Sequence, residues 1–128
     1  MGTDTASDDP NQHDLINWST ALDVVGGDRE LLAEVIDAFL QEAPRQMEAI
    51  RQAVVAGDAP LLRRAAHTLK GSLRYFGCQA AFVRALNLEL AGQQGQTQQL
   101  DEAVNELAGL LARVLELLAE QVRRGGTP

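Results

Sequence analysis

The chain has 128 residues, of which 45% are hydrophobic and 23% are charged, a balance typical of one small globular domain. Its formal net charge of −7 argues against a nucleic-acid partner, because such binding needs positive surface along many phosphates. No apolar run approaches the roughly 20 residues of a membrane-spanning helix, and no basic-then-apolar leader opens the chain. The single cysteine, Cys78, cannot form an internal disulfide. We therefore expect a cytoplasmic domain without membrane contact.

The N-terminal part of the chain predicts a tail followed by a short helix. Residues 1–13 are polar and acidic and lack apolar periodicity, which predicts a disordered tail or linker. A short helix is predicted from Leu15 to Val25, anchored by Trp18 and stopped by Gly26-Gly27. A helix of this length is not stable alone in water, so we expect it to cap one end of a larger bundle.

Four longer segments carry apolar residues every three or four positions, the spacing of a helix with one buried side. The first keeps its apolar phase across Pro44, which predicts one bent helix rather than two. The predicted ranges, in chain order, are 28–56, 58–76, 78–91 and 97–123, with the polar connector 92–96 before the last. Short joins favour antiparallel neighbours. We therefore predict an all-α, antiparallel four-helix bundle over residues 14–124, followed by a flexible C-terminus at 125–128.

The second long helix carries a histidine on the side away from its apolar residues. At about 100° per residue, His67 lies roughly 140° from Leu62 and about 160° from Leu69, so it should face solvent. Its neighbours on the helix surface, three, four and seven positions away, are Arg63, Arg64, Lys70, Gly71 and Arg74. Such a cluster of cations in an acidic protein predicts a site for a phosphoryl group.

The chemistry of a histidine among cations supports that prediction. A neutral imidazole nitrogen is a good nucleophile near pH 7. Once the ring is phosphorylated, the oxygens of the phosphoryl group need positive charge. Lys70 can supply it, with further support from the three arginines. Gly71 would let a partner reach the ring, and this use explains a residue that costs a helix interior about 1 kcal/mol. The alternative is an ordinary surface histidine with incidental basic neighbours.

A longer motif surrounds this histidine. The run Ala66-His67-Thr68-Leu69-Lys70-Gly71-Ser72, followed by Phe76-Gly77, resembles the signature of the histidine-containing phosphotransfer (HPt) domain family. The resemblance covers roughly residues 18–123 and includes Phe39, Pro44, Gly57-Asp58 and Leu88-Glu89. It implies that His67 accepts a phosphoryl group from a receiver-domain aspartate and passes it to another receiver. It also implies that Lys70 holds the phosphate, Gly71 gives access and Ser72 lies at the edge of the site.

Two interpretations of Glu89 stay open at this point. It lies four residues after Ala85 and seven after Phe82, near the apolar side of the third long helix, where a carboxylate usually has a partner. The resemblance implies that Glu89 accepts a hydrogen bond from His67 Nδ1–H, which would leave Nε2 as the nucleophile. Alternatively, Glu89 forms a salt bridge with Arg63 or Arg64.

The sequence also indicates what the domain should lack. It has no phosphate-binding glycine loop, so we expect no ATP site and no enzymatic self-phosphorylation. Its two histidines are too few for an imidazole-rich metal site, so we expect no cofactor, with any Mg²⁺ held by the receiver partner.

The resemblance implies a monomeric phosphohistidine carrier in a two-component phosphorelay, with receiver (response regulator) domains and a hybrid histidine kinase as partners. Docking is expected through apolar side chains near His67, with Leu73, Phe76 and the short first helix as candidates. The alternative for these side chains is a plain core position, which is favoured for Phe76. Two alternatives remain: an adaptor bundle that is never phosphorylated, and the phosphorylatable domain of a chemotaxis-type histidine kinase.

Overall fold

The computed structural model describes residues 15–125, and within that range the regular elements are five α-helices. They are α1 Trp18–Val24, α2 Arg29–Ala56, α3 Ala59–Tyr75, α4 Gln79–Gln93 and α5 Asp101–Arg123. The four long helices form a closed ring, because α2 and α4 each pack against both α3 and α5. Short connections make successive helices antiparallel, so the predicted all-α bundle is confirmed. The predicted tail at 1–13 and the end of the chain from residue 126 lie outside the described residues.

Local sequence signals fix where several helices begin and end. Three helices begin at a side-chain oxygen that accepts a backbone N–H: Asn17 from Thr20 at 3.2 Å, Asp28 from Leu31 at 3.0 Å and Asp58 from Leu61 at 3.1 Å. Such caps contribute about 1 kcal/mol each. After α3 the chain turns at Gly77, whose φ is 61° and whose Cβ would lie 2.6 Å from Asn17 Cβ. Both the dihedral angle and the close contact require glycine there.

The core is aliphatic, with one pair of aromatic rings between α2 and the end of α3. The ring centroids of Phe39 and Phe76 are 5.1 Å apart. Leu73 and Phe76 are both enclosed, with 0% and 1% of their surface exposed. Leu73 is therefore not available for docking, and the favoured core position of Phe76 is confirmed. Leu73 on α3 and Phe76 directly after it both pack inside the bundle.

The segment before α2 is held to the bundle by its first described residues. Leu15 and Ile16 are buried, and the Asn17 N–H donates a hydrogen bond of 2.9 Å to the carbonyl of Phe76. α1 then packs against α2 and α3. It begins at Trp18 rather than at the predicted Leu15, because Asn17 caps it. Trp18 is only partly buried, so the anchor predicted there is provided mainly by Leu15 and Ile16.

The predicted boundaries are right around Pro44 and wrong after α4. α2 is a single helix through Pro44, as its unbroken apolar phase predicts. α4, however, continues to Gln93, so Gly92 is a buried helical residue rather than part of a connector. α5 begins at Asp101 instead of near position 97, because Gln99 has a left-handed φ of 62° that a helix cannot include.

Candidate functional site

His67 lies in the middle of α3, and its side chain points to solvent. It is 65% exposed, whereas Ala66 and Leu69 next to it are buried. This agrees with its position on the helix relative to the apolar residues. One ring atom is nevertheless fixed, because Nδ1 lies 2.8 Å from Oε2 of Glu89 on α4.

Glu89 links His67 to Lys70 across the interface between α3 and α4. Its side chain is 13% exposed, and its second oxygen, Oε1, lies 2.7 Å from Lys70 Nζ. The His67 contact implied by the resemblance is thus present in the structure. Among the described residues, the charged partners of Glu89 are His67 and Lys70, so the alternative salt bridge to Arg63 or Arg64 is wrong.

These contacts determine which nitrogen of the neutral His67 ring carries the proton. Burial favours the neutral acid form of Glu89, but hydrogen bonds and positive charge from Lys70 and His67 outweigh it and hold the pKa of this carboxyl below its ordinary value. An ionised carboxylate can only accept hydrogen bonds, so Nδ1 carries the proton and donates a hydrogen bond to Oε2. In the neutral ring the lone pair then lies on Nε2, the nitrogen away from Glu89.

Lys70, predicted to supply positive charge beside His67, is mostly buried. Only 16% of its side chain is exposed, and its ammonium group is paired with Glu89. The helix geometry explains this position, since Lys70 lies only about 60° around the helix from buried Leu73, at the margin of the apolar side. An ammonium group has three donors, and the contact with Glu89 occupies one of them.

Two of the predicted arginines line the same groove as the histidine. Arg63 and Arg64 are exposed, and together with His67, Thr68 and Glu89 they border a groove of about 230 Å³. Thr68 was not singled out in the sequence beyond its place in the motif, although it adjoins His67 on the helix surface. The groove therefore combines a hydroxyl, an imidazole and two guanidinium groups beside one carboxylate.

Gly71 is exposed, and no other residue of the described range 15–125 occupies the space above it. A Cβ built on this residue would meet no atom within 4 Å, and its φ is not in the left-handed region. Neither packing nor backbone conformation therefore requires glycine at this position. What the glycine provides is free space one turn from His67.

Ser72 and Arg74 are not brought to the histidine. Ser72 lies roughly 140° around the helix from His67 and faces an apolar groove of about 240 Å³ beside Phe39. Arg74 lies two turns from His67, and its guanidinium carbon is 5.7 Å from the centroid of the Phe82 ring. Of the residues predicted to support the site, the structure places Arg63, Arg64, Lys70, Gly71 and Glu89 around His67.

Two other classes of site can be compared with the coordinates of residues 15–125. Within this range no three His, Cys, Asp or Glu side chains approach each other closely enough to hold a metal ion. None of the helices described here combines the length and the apolar character needed to cross a membrane.

Comparison with known proteins agrees with this geometry. The family model described as the Hpt domain matches residues 34–124. The fold is similar to that of histidine-containing phosphotransfer protein B (HptB) from Pseudomonas aeruginosa PAO1, with a TM-score of 0.79, 20% identity and coverage of 86% of this chain and 96% of that one. It is also similar to the HPT domain of an Hpt sensor hybrid histidine kinase from Shewanella, with a TM-score of 0.77, 20% identity and coverage of 87% and 96%.

Comparison with curated proteins gives no significant match. At 20% identity the two structures establish the fold alone, while the family model spans most of the helical bundle and includes His67. The chain therefore belongs to the Hpt domain family and is a phosphohistidine carrier of the kind used in phosphorelays.

Proposed function

We propose that His67 is the residue that carries the phosphoryl group, which it takes from an aspartate of one receiver domain and gives to an aspartate of another. One observation supports this choice above the others. Nδ1 of an exposed ring lies 2.8 Å from Oε2 of the half-buried Glu89 carboxylate and donates a hydrogen bond to it, so the other ring nitrogen is free to act as a nucleophile.

The transfer step is a displacement at phosphorus. The Nε2 lone pair of His67 forms the N–P bond while the bond between phosphorus and the receiver's aspartyl oxygen breaks, leaving a carboxylate on the receiver. Nδ1 keeps its proton, so the phosphorylated ring becomes cationic. Glu89 then accepts a charge-assisted hydrogen bond from that ring, which stabilises the transition state more than the neutral ground state. The reverse step returns the phosphoryl group to a second receiver.

The cations of the site hold the phosphate weakly. Lys70 can turn its remaining N–H donors toward the oxygens of a phosphoryl group bound to Nε2 of His67. Arg63 and Arg64 border the groove beside that ring. The two arginines are exposed, and pairs between exposed ions are worth about 0 to 1 kcal/mol because water screens them. Lys70 is mostly buried, but its charge is already shared with Glu89. Weak holding suits a carrier that must release the group again.

The remaining features of the proposed function follow from the chemistry of the site. We propose a monomeric cytoplasmic carrier, phosphorylated through the receiver of a hybrid histidine kinase and lacking its own ATP site. The Mg²⁺ that neutralises the phosphoryl group belongs to the acidic pocket of the receiver partner. Neither nucleic acid nor membrane is part of this function. The absence of a phosphate-binding glycine loop from the sequence supports the dependence on a partner.

A panel of phosphorylated receivers tests this proposal. We expect acid-labile, base-stable label to move from at least one receiver to the wild type and not to His67→Gln, which should remain folded because His67 is exposed. If no receiver transfers label to the wild type, an adaptor bundle is favoured. Labelling only by a kinase catalytic domain with ATP would favour a domain of a chemotaxis-type kinase.

A further inference from the structure

Gly92, in the last turn of α4, lies against the backbone of α3. A Cβ on this residue would lie 2.7 Å from the backbone nitrogen of Arg63, 2.9 Å from the carbonyl oxygen of Ala59 and 3.1 Å from Arg63 Cα. The first two distances are shorter than any that a real Cβ keeps to a non-bonded atom. The obstacles are backbone atoms of a helix, which cannot rotate away. α3 and α4 can therefore approach this closely only because residue 92 has no side chain.

The same interface holds the His67 hydrogen bond one turn away. His67 lies four residues after Arg63 on α3, and Glu89 lies three residues before Gly92 on α4. Because the helices are antiparallel, both steps run in the same direction, by about 5.4 Å per turn. The close approach of Gly92 to Arg63 and the 2.8 Å hydrogen bond from Nδ1 to Oε2 are therefore contacts between the same two helices, one turn apart.

We infer that Gly92 is a positioning residue for phosphoryl transfer, which sets the distance between α3 and α4 so that the Glu89 carboxylate reaches His67 Nδ1. This inference rests on the proposed function. Glu89 comes from a different helix than His67, so the length of their hydrogen bond depends directly on the helix separation. An added methyl group at residue 92 would move the backbones apart by several tenths of an ångström at the adjacent turn. The bond that fixes the ring's tautomer would lengthen accordingly.

The test compares Gly92→Ala with Gly109→Ala. Gly109 is an exposed glycine within α5, and a Cβ there would meet nothing within 4 Å, so its variant reports the effect of alanine in a helix without a contact. Proton–nitrogen NMR of the His67 ring measures the tautomer, and phosphoramidate, a small donor, measures phosphorylation without a receiver. For Gly92→Ala we expect a loss of Nδ1–H character and phosphorylation slowed roughly 10- to 100-fold. Gly109→Ala should match the wild type in both.

A double-mutant cycle separates positioning from packing. If Gly92 acts through Glu89, Gly92→Ala should have little further effect on the phosphorylation rate in a Glu89→Ala background. Equal effects in both backgrounds, or an unchanged His67 tautomer in Gly92→Ala, would show that Gly92 serves packing alone. If Gly92→Ala does not fold, the measurements are made with Gly109→Ala added to raise helix stability. A wild type that takes up no phosphate would instead contradict the proposed function.

Discussion

Gly71 and Gly92 flank the His67 site from two sides, and the regions around them differ in what the missing side chain makes possible. Above Gly71 the protein leaves open space on the solvent side of α3. Beneath Gly92 the backbone of α3 fills the space that a Cβ would need. The first region can admit a partner, and the second holds two helices at a fixed spacing. Access to the His67 ring and orientation of that ring are therefore provided by different surfaces of α3, the solvent side at Gly71 and the side that faces α4.

The strongest test of this difference is a bulky residue at the open position. Gly71→Leu should stabilise the fold by about 0.5 to 1 kcal/mol, because leucine favours helices more than glycine and no atom of residues 15–125 lies within 4 Å of a Cβ there. Transfer from a receiver should fall by about 100-fold or more, since the partner's backbone can no longer reach the ring. Stopped-flow or radiolabel transfer and urea unfolding measure the two effects.

The matched control for that variant is Gly109→Leu, which adds the same side chain to an exposed position of α5. It should gain similar stability and keep the wild-type transfer rate. Phosphorylation of Gly71→Leu by phosphoramidate should be largely retained, because this donor is small. Transfer from receivers at the wild-type rate in Gly71→Leu would show that the space above Gly71 is not used.

The second prediction concerns Glu89, at the interface between α3 and α4. Glu89→Ala should slow phosphorylation of His67 roughly 10- to 100-fold, because a hydrogen bond to a charged group contributes about 1.5 to 3 kcal/mol. Glu89→Gln should be slowed less, since its amide oxygen can still accept a hydrogen bond from Nδ1–H although it lacks the negative charge. Single-turnover rates with phosphoramidate measure both variants. Equal rates for the wild type and Glu89→Ala would show that the carboxylate does not assist the step.

A smaller effect is expected from the exposed cations. Replacing both Arg63 and Arg64 by glutamine should reduce receiver transfer by a few-fold at low salt and weaken its salt dependence, because screened charges act mainly on association. Arg45 and Arg113, exposed on α2 and α5, provide a charge-matched control pair. Transfer rates are compared across a series of salt concentrations. If replacing the control pair lowers the transfer rate as much as replacing Arg63 and Arg64, the effect is due to net charge alone.

The smallest effect is on stability and depends on pH. The pKa of Glu89 is lower in the folded chain than its ordinary value, although burial opposes this, because Lys70 and His67 favour the carboxylate. On acidification the unfolded chain binds this proton first, so the stabilisation is present at neutral pH and declines from the ordinary titration range of glutamate downward. The difference in unfolding free energy between the wild type and Glu89→Gln should shrink over that range. A difference that grows on acidification would contradict the assignment.

Much of this architecture can be predicted from single-helix patterns. The apolar spacing predicts four long helices and the continuity of α2 through Pro44, and the position of His67 relative to Leu62 and Leu69 predicts its exposure. These properties depend only on residues within one helix. Aspartates before α2 and α3 also locate their first turns, because capping is a local interaction.

Features that depend on contacts between two helices could not be predicted from the pattern within one helix. The register of α3 against α4 decides that Glu89 meets His67 and Lys70, and without the family resemblance a salt bridge to an arginine is equally consistent with the sequence. The polar run 92–96 predicts a connector that includes Gly92, whereas the structure has Gly92 inside α4, against the backbone of α3. Ser72 shares the motif but faces α2, since side chains five residues apart do not lie on one side of a helix.

The most direct test of the central claim is the state of the His67 ring before and after phosphorylation, followed by NMR of protein labelled with ¹⁵N in histidine. We predict that His67 begins with its proton on Nδ1, hydrogen-bonded to Glu89, and ends with the phosphoryl group on Nε2 and that proton still in place. Phosphate on Nδ1, or on the second histidine of the chain, His13, with His67 unmodified, would contradict this prediction.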